Sequence, residues 1–239
     1  MGAMLPPVRQ LFPIPVDAVD PRRCYASEDR HTSPWVLVNM IATLDGATAI
    51  DGRSGGFGGP GDKAVFAAIR ALADIILVGA GTVRAENYGP PTVPGRLAIV
   101  TASLDLAPDA RVFSNGYRPI VITTANADPV RRAALERVAD IVVAGDTRVD
   151  VRAAVSTFSG VIVCEGGPSL NGQLISEGLV DELCVSIAPL LASGESTRLA
   201  HGLAPARPER MQLRHVLQDD DYLFLRYVRL SDASAPSPS

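Results

Sequence analysis

Ile75-Ile76-Leu77-Val78-Gly79-Ala80-Gly81-Thr82 is the stretch on which the fold class turns. Its first four residues are wholly apolar, as in a strand buried on both faces by helices on a parallel sheet. Glycine then breaks the strand, and Ala80 onward reads as the opening of a short helix. The pattern recurs along the chain. Leu97–Val100, Ile120–Thr123, Ile141–Ala144 and Val161–Cys164 are further buried strands, and Trp35–Met40 is a candidate first strand. Between them, Asp62 reads as the N-cap of a helix through Ala73, with Val65, Phe66, Ile69 and Leu72 at helical spacing. Pro129–Val138 and Leu170–Glu177 read as helices, the second closed by Gly178.

After Asp181 the pattern changes. Leu183–Ile187, Met211–Leu217 and Tyr222–Val228 follow one another without helices, as antiparallel strands do. The expected class is α/β: a mainly parallel central sheet flanked by helices, with antiparallel strands at the C-terminal end. One domain is expected over residues 34–230, preceded by an extended Pro- and charge-rich arm over 1–33. A disordered Ser/Ala/Pro-rich tail is expected over 231–239.

Composition narrows the function. A formal net charge of −4, without any run of Lys or Arg, argues against nucleic-acid binding. No stretch reaches the roughly 18 apolar residues of a membrane span. Pro6, Pro7, Pro13 and Pro15 interrupt the N-terminus, which does not read as a signal peptide, so a cytoplasmic location is expected. Cys24, Cys164 and Cys184 form no CxxC, giving neither a zinc clip nor a disulfide framework. Cys164 and Cys184 read as small buried hydrophobes. His31, His201 and His215 sit in unrelated contexts and receive no role. Zinc-deaminase, phosphate-loop and nucleophile-elbow signatures are absent from the sequence.

Two strand–glycine–helix turns remain. In Gly79-Ala80-Gly81-Thr82, the backbone can approach a phosphate and free helical N–H groups can bind it, though the turn can also be purely structural. Glu165-Gly166-Gly167-Pro168-Ser169-Leu170 repeats the arrangement. Neither has GxGxxG spacing, which disfavours an ordinary Rossmann domain. Glu165 is either a substrate-binding carboxylate or a helix cap. Thr101 and Ser103 follow a strand and offer hydroxyls to a 2′-phosphate, aided by Arg96 or Arg111, or else serve ordinary turn chemistry. Asp45-Gly46 reads as a turn, and the loop Gly52–Gly61 as a lid or a flexible connection.

The ordered set Ala42–Gly46, Asp62, Arg70–Asp74, Val78–Arg84, Glu165–Asn171 and Leu179–Leu183 leading to Ala188-Pro189 resembles the reductase domain of the bacterial riboflavin-biosynthesis deaminase–reductase. The resemblance is closest to its stand-alone actinobacterial type. It implies a dihydrofolate reductase-like fold and NADPH-dependent reduction of a phosphoribosylamino-pyrimidine, an aminouracil or the related diaminopyrimidinone, to the ribitylamino product. It implies cofactor contacts at Thr43, Asp45, Gly79, Gly81 and Thr82, and again at Gly166, Gly167, Pro168, Ser169 and Leu170. Thr101 and Ser103 would meet the 2′-phosphate, while Asn39, Arg70 and Glu165 would face the substrate. It also implies a homodimer through the C-terminal strands, within Leu183–Leu191 and Tyr222–Val228. Two departures stand out. Glu86-Asn87-Tyr88-Gly89-Pro90 replaces an acidic Asp-Asp-Pro segment, and Asn39 stands where a lysine is common. They leave a dihydrofolate-type substrate open, and beside it a non-catalytic NADPH-binding module.

Overall fold

The computed structural model describes residues 8–26, 30, 33–50, 52–53 and 56–230; His31 and the expected tail lie outside them. Strands β1 (Val8–Phe12) and β2 (Val16–Val19) and helix α1 (Pro21–Tyr25) lead into β3 (Trp35–Thr43) and α2 (Pro60–Arg70). There follow β4 (Ile75–Gly79), α3 (Ala80–Ala85), β5 (Arg96–Val100), β6 (Ile120–Thr123), α4 (Pro129–Glu136) and β7 (Asp140–Val143). Next come α5 (Val151–Ser156), β8 (Val161–Cys164) and α6 (Pro168–Ser176), and finally β9 (Glu182–Ala188), β10 (Met211–Asp219) and β11 (Tyr222–Arg229).

All the strands join one sheet of order β2-β1-β10-β11-β9-β3-β8-β4-β5-β6-β7. From β9 to β7 the neighbours are parallel; β11, β10, β1 and β2 continue the sheet through antiparallel pairs. The apolar runs alternate between two cores, as the two-residue period of a strand requires. Ile76, Val78, Leu97, Ile99 and Val163 pack with α2, α3 and α4 on one face. Ile75, Leu77, Ala98, Ile162 and Cys164 pack with α5 and α6 on the other. Burial on both faces is why these strands carry almost no polar residues. The buried states expected for Cys164 and Cys184 are found.

Several boundaries differ from the sequence reading. The expected N-terminal arm is built into the sheet, with β1 paired antiparallel to β10 and Tyr25 of α1 fully buried. Its prolines restrict the chain locally without excluding it from an edge of the sheet. Helix α2 starts at Pro60 under a Gly59 cap, so Asp62 is not the N-cap; it ends at Arg70 rather than Ala73. Helix α5 has no counterpart in the sequence reading, because its six residues are too few to show a period.

Candidate active site

The chain passes from β3 to β4, runs outward through β5, β6 and β7, and returns with β8 between β3 and β4. That return is a topological switch point, where connections diverge and leave a crevice beyond the carboxyl ends of the strands. A cleft of about 1520 Å³ occupies it. The two glycine turns meet there. The Gly79 N–H donates to the Gly166 carbonyl at 3.0 Å. Gly166 and Gly167 have φ of +92° and +90°, a region that L side chains rarely occupy. A Cβ on Gly167 would point into the gap between the turns, 3.5 Å from both the Gly79 Cα and the Thr82 Oγ1.

The helix starts fall into two groups. Helices α1, α4 and α5 begin with Asp20, Asp128 and Asp150, whose carboxylates accept from first-turn N–H groups. Helices α2, α3 and α6 begin at Gly59, Gly79 and Gly167, with no side-chain cap bond. An aspartate cap gains only about a few tenths of a kcal/mol over glycine, and its omission leaves N–H donors for an anion. The side-by-side starts of α3 and α6 therefore fit a diphosphate: open backbone donors and no acidic cap.

On the other side of β8, Glu165 is nearly sealed, its side chain 2% exposed. Arg70 grips it with two bonds, Nε to Oε1 at 2.6 Å and Nη2 to Oε2 at 2.5 Å. The Tyr88 hydroxyl donates to Oε2 at 2.7 Å. Burial, with the Glu165 charge beside it, pushes the Tyr88 phenol well above its usual pKa, so it remains a donor. Asp62 also lines the cleft. Burial raises its carboxyl above the usual range, opposed by a hydrogen bond from the Ser186 side chain and by the Lys63 charge. Any side chain at Gly58 would collide with that carboxylate, so the glycine loop makes room for it.

Most residues singled out from the sequence line this one cleft: Asn39, Arg70 and Glu165, Gly79, Gly81 and Thr82, Thr101 and Ser103, and Gly167 to Leu170. Three do not. The Gly166 α-carbon faces Met40. Thr43 is buried, with its hydroxyl spent on Asp45 and on the Ala47 N–H. Asp45 binds the backbone N–H groups of Ala192 and Ser193 at 2.6–3.2 Å. The Thr43 hydroxyl, followed by the Ser193 and Ala192 N–H groups, holds the Asp45 pKa down at about 2, and the two backbone contacts tether the loop after β9. Thr101 and Ser103 keep the turn role as well, accepting from Leu104 and Asp105 N–H groups. Arg96 lies at the opposite end of β5, paired with Asp140, because it begins the strand rather than ending it. Arg111 does line the cleft, joined by Arg148. The sequence reading gave no cleft role to Asp62, Tyr88 or Arg148. Asp62 was read as an N-cap and counted in the ordered set behind the resemblance, without a role in the site.

A model of the RibD C-terminal domain matches residues 34–225. The chain belongs to the RibD C-terminal domain family. It is 32% identical over 178 residues to a Methanothermobacter thermautotrophicus protein named 2,5-diamino-6-ribosylamino-4(3H)-pyrimidinone 5′-phosphate reductase, covering 69% of this chain and 82% of that one. It is 29% identical to the riboflavin biosynthesis protein RibD of Mycobacterium tuberculosis, covering 75% of this chain and 49% of RibD, about half its length. Among solved structures, a pyrimidine reductase-like protein of Corynebacterium diphtheriae superposes with a TM-score of 0.79 at 25% identity, over 90% of this chain and all of that one. An Enterococcus faecalis dihydrofolate reductase superposes at 0.52 and 14% identity, over 82% of this chain and 97% of that one, and shows a shared fold alone. As a RibD C-terminal domain, the chain is a reductase of the dihydrofolate reductase-like fold. The uncapped turns and the sealed carboxylate line one cleft.

Proposed function

We propose that this reductase uses NADPH to convert a phosphoribosylamino-pyrimidine of riboflavin biosynthesis into its ribitylamino product. The observation that carries the reading is the junction of Gly79 and Gly166–Gly167, where two uncapped helix starts face one gap. The backbone N–H groups of Gly81, Thr82, Ser169 and Leu170 hold the cofactor's diphosphate. Thr101 and Ser103 mark the adenosine end, where Arg111 and Arg148 meet the 2′-phosphate. The nicotinamide, when bound, supplies the hydride.

This chain's residues do the rest. Arg70 and Glu165 orient the substrate, with Asn39 beside them on β3. Burial raises the Asp62 carboxyl above the usual carboxylate range, which favours its protonated form. It delivers that proton to the substrate heteroatom that gains electrons as the ribose, in its open form, is reduced. Substrate and cofactor are thereby fixed at one distance, which supplies much of the rate. Exposed Leu44 and Leu191 lie at the end of β9, joined through the Leu44–Leu190 backbone bond, and suit a homodimer contact; the protein acts in the cytoplasm.

The test is NADPH oxidation by the purified protein with the phosphoribosylamino-pyrimidine and dihydrofolate offered in parallel, and NADH as the cofactor control. Turnover of the pyrimidine with NADPH is expected. Turnover of dihydrofolate alone would move the substrate assignment to the pterin class, and no turnover of either would leave only a nucleotide-binding module.

A further inference from the structure

The Arg70–Glu165 pair is braced by a residue of the segment Glu86–Pro90 that follows α3. Tyr88 reaches Glu165 through its hydroxyl, and its ring lies against the Arg70 guanidinium, 5.6 Å from carbon to ring centroid. Phe66 of α2 supplies a second ring at 4.7 Å. The backbone beneath is pinned: the Tyr88 N–H donates to the Val83 carbonyl at 3.0 Å, and Arg111 Nη1 to the Asn87 carbonyl at 3.0 Å. The Tyr88 ring also packs against the main core.

We propose that Tyr88 is a positioning residue of the active site, holding the Arg70–Glu165 pair in one orientation and limiting how a ligand can engage Glu165. This rests on the reading of the cleft as the reductase site. A carboxylate offers about four acceptor positions. Arg70 takes one on each oxygen and Tyr88 takes the second on Oε2. One acceptor position remains, on Oε1, so Glu165 reads a single N–H or O–H donor. Arg70 spends two of its five N–H donors on Glu165, and the others can serve a ligand acceptor. A bidentate pair alone can swing as a unit. The third bond and the aromatic contacts stop that motion, and the desolvated setting strengthens each of them.

The test compares wild type with Tyr88→Phe, which keeps the ring, and Tyr88→Leu, which removes ring and hydroxyl. Three readouts are taken: NADPH Kd by fluorescence titration, kcat and KM against pH, and the Nε–H resonance of Arg70 in arginine-labelled protein, assigned with Arg70→Lys. For Tyr88→Phe, kcat/KM falls about tenfold, mostly through KM, as expected for loss of one hydrogen bond to a charged group. NADPH Kd is unchanged, and the Arg70 Nε–H exchanges faster with water. In Tyr88→Leu both effects are larger. A Tyr88→Phe protein with wild-type kcat/KM across the pH range and an unchanged Arg70 resonance would overturn the proposal and leave Tyr88 as packing. If the wild type reduces no heterocycle, the reductase reading fails by itself. The Arg70 resonance then still decides: faster exchange in Tyr88→Phe supports the role of Tyr88, and no change removes it.

Discussion

Gly167 offers the sharpest test of where the cofactor binds. Its φ of +90° and its place as the cap of α6 give two separable costs to any side chain. The first is conformational: a left-handed backbone costs an L residue about 1–2 kcal/mol. At about 2–4 °C per kcal/mol for a chain of this size, Tm should fall by about 2–8 °C. Gly167→Ala bears that cost alone, since its Cβ meets Gly79 and Thr82 only at ordinary contact distance, 3.5 Å. The second cost is steric and falls on the ligand. Gly167→Leu has the same backbone strain, but its extra carbons fill the gap between the turns. If the diphosphate loses two N–H bonds there, each worth about 1.5–3 kcal/mol, binding weakens by about 3–6 kcal/mol, or about 10²–10⁴-fold. Thermal melting establishes that both variants fold, and fluorescence titration gives Kd for NADPH. A folded Gly167→Leu protein that binds NADPH within about threefold of Gly167→Ala would refute the placement of the cofactor, whatever the enzyme reduces.

Two further outcomes are expected. Asp62→Asn should lower kcat by about 10²–10⁴-fold, the range of general acid catalysis, with NADPH Kd unchanged; wild-type kcat should decline as pH rises through the elevated Asp62 pKa, and the variant should lose that limb. The second concerns His215, which is buried edge-on against Tyr25 at 4.7 Å and driven down to about 4 by burial and by Arg226. Because its folded pKa is depressed, His215 contributes stability that is present above the unfolded value and lost as pH falls toward 4. From the ordinary His pKa of about 6.5, roughly 2 kcal/mol disappears between pH 8 and pH 5. Urea unfolding of wild type and His215→Gln at the two pH values checks it, and an equal pH dependence in both would sink the assignment.

The parallel half of the fold was legible in the sequence because double burial leaves an unambiguous mark. Ile75–Val78, Leu97–Val100 and Ile120–Thr123 carry apolar side chains to both faces, and no helix of that length would do so. The antiparallel end was legible for a different reason: β10 and β11 turn on Asp219–Asp221, an acidic hairpin signal. The N-terminal strands were not, because both are short: β2 pairs only with β1, and β1 joins the sheet through β10, some two hundred positions away in the chain. No local pattern encodes that pairing. The site divides the same way. Glycines between a strand and a helix announce themselves, whereas Tyr88 meets Glu165 only because α3 and β8 converge on the same strand, β4. Thr43 and Asp45 show the converse: a motif can belong to the fold's framework, here by tethering the loop at Ala192–Ser193, without touching the cleft.

One signal was present in the sequence and went unused. Helix starts compete between stability and ligand binding, because the same first-turn N–H groups cannot serve a cap and an anion at once. Where this chain only needs a stable helix, it places an aspartate immediately before a proline or the first apolar residue: Asp20-Pro21, Asp128-Pro129, Asp150-Val151. Where the helix opens on the cleft, glycine takes the aspartate's position, in Gly79-Ala80 and Gly167-Pro168. Pro168 is kept, so there the helix-start signal survives while the cap is withheld. Relative to an aspartate cap, each glycine costs the fold only about a few tenths of a kcal/mol, and the two omissions fall together around one crevice. Scattered by chance, they would bear no relation to the sheet's switch point. Their convergence is a physical reason to read the cleft as an anion-binding site, independent of any family likeness. An aspartate placed at Gly79, where the backbone is extended, would return the cap and repel the ligand in one step.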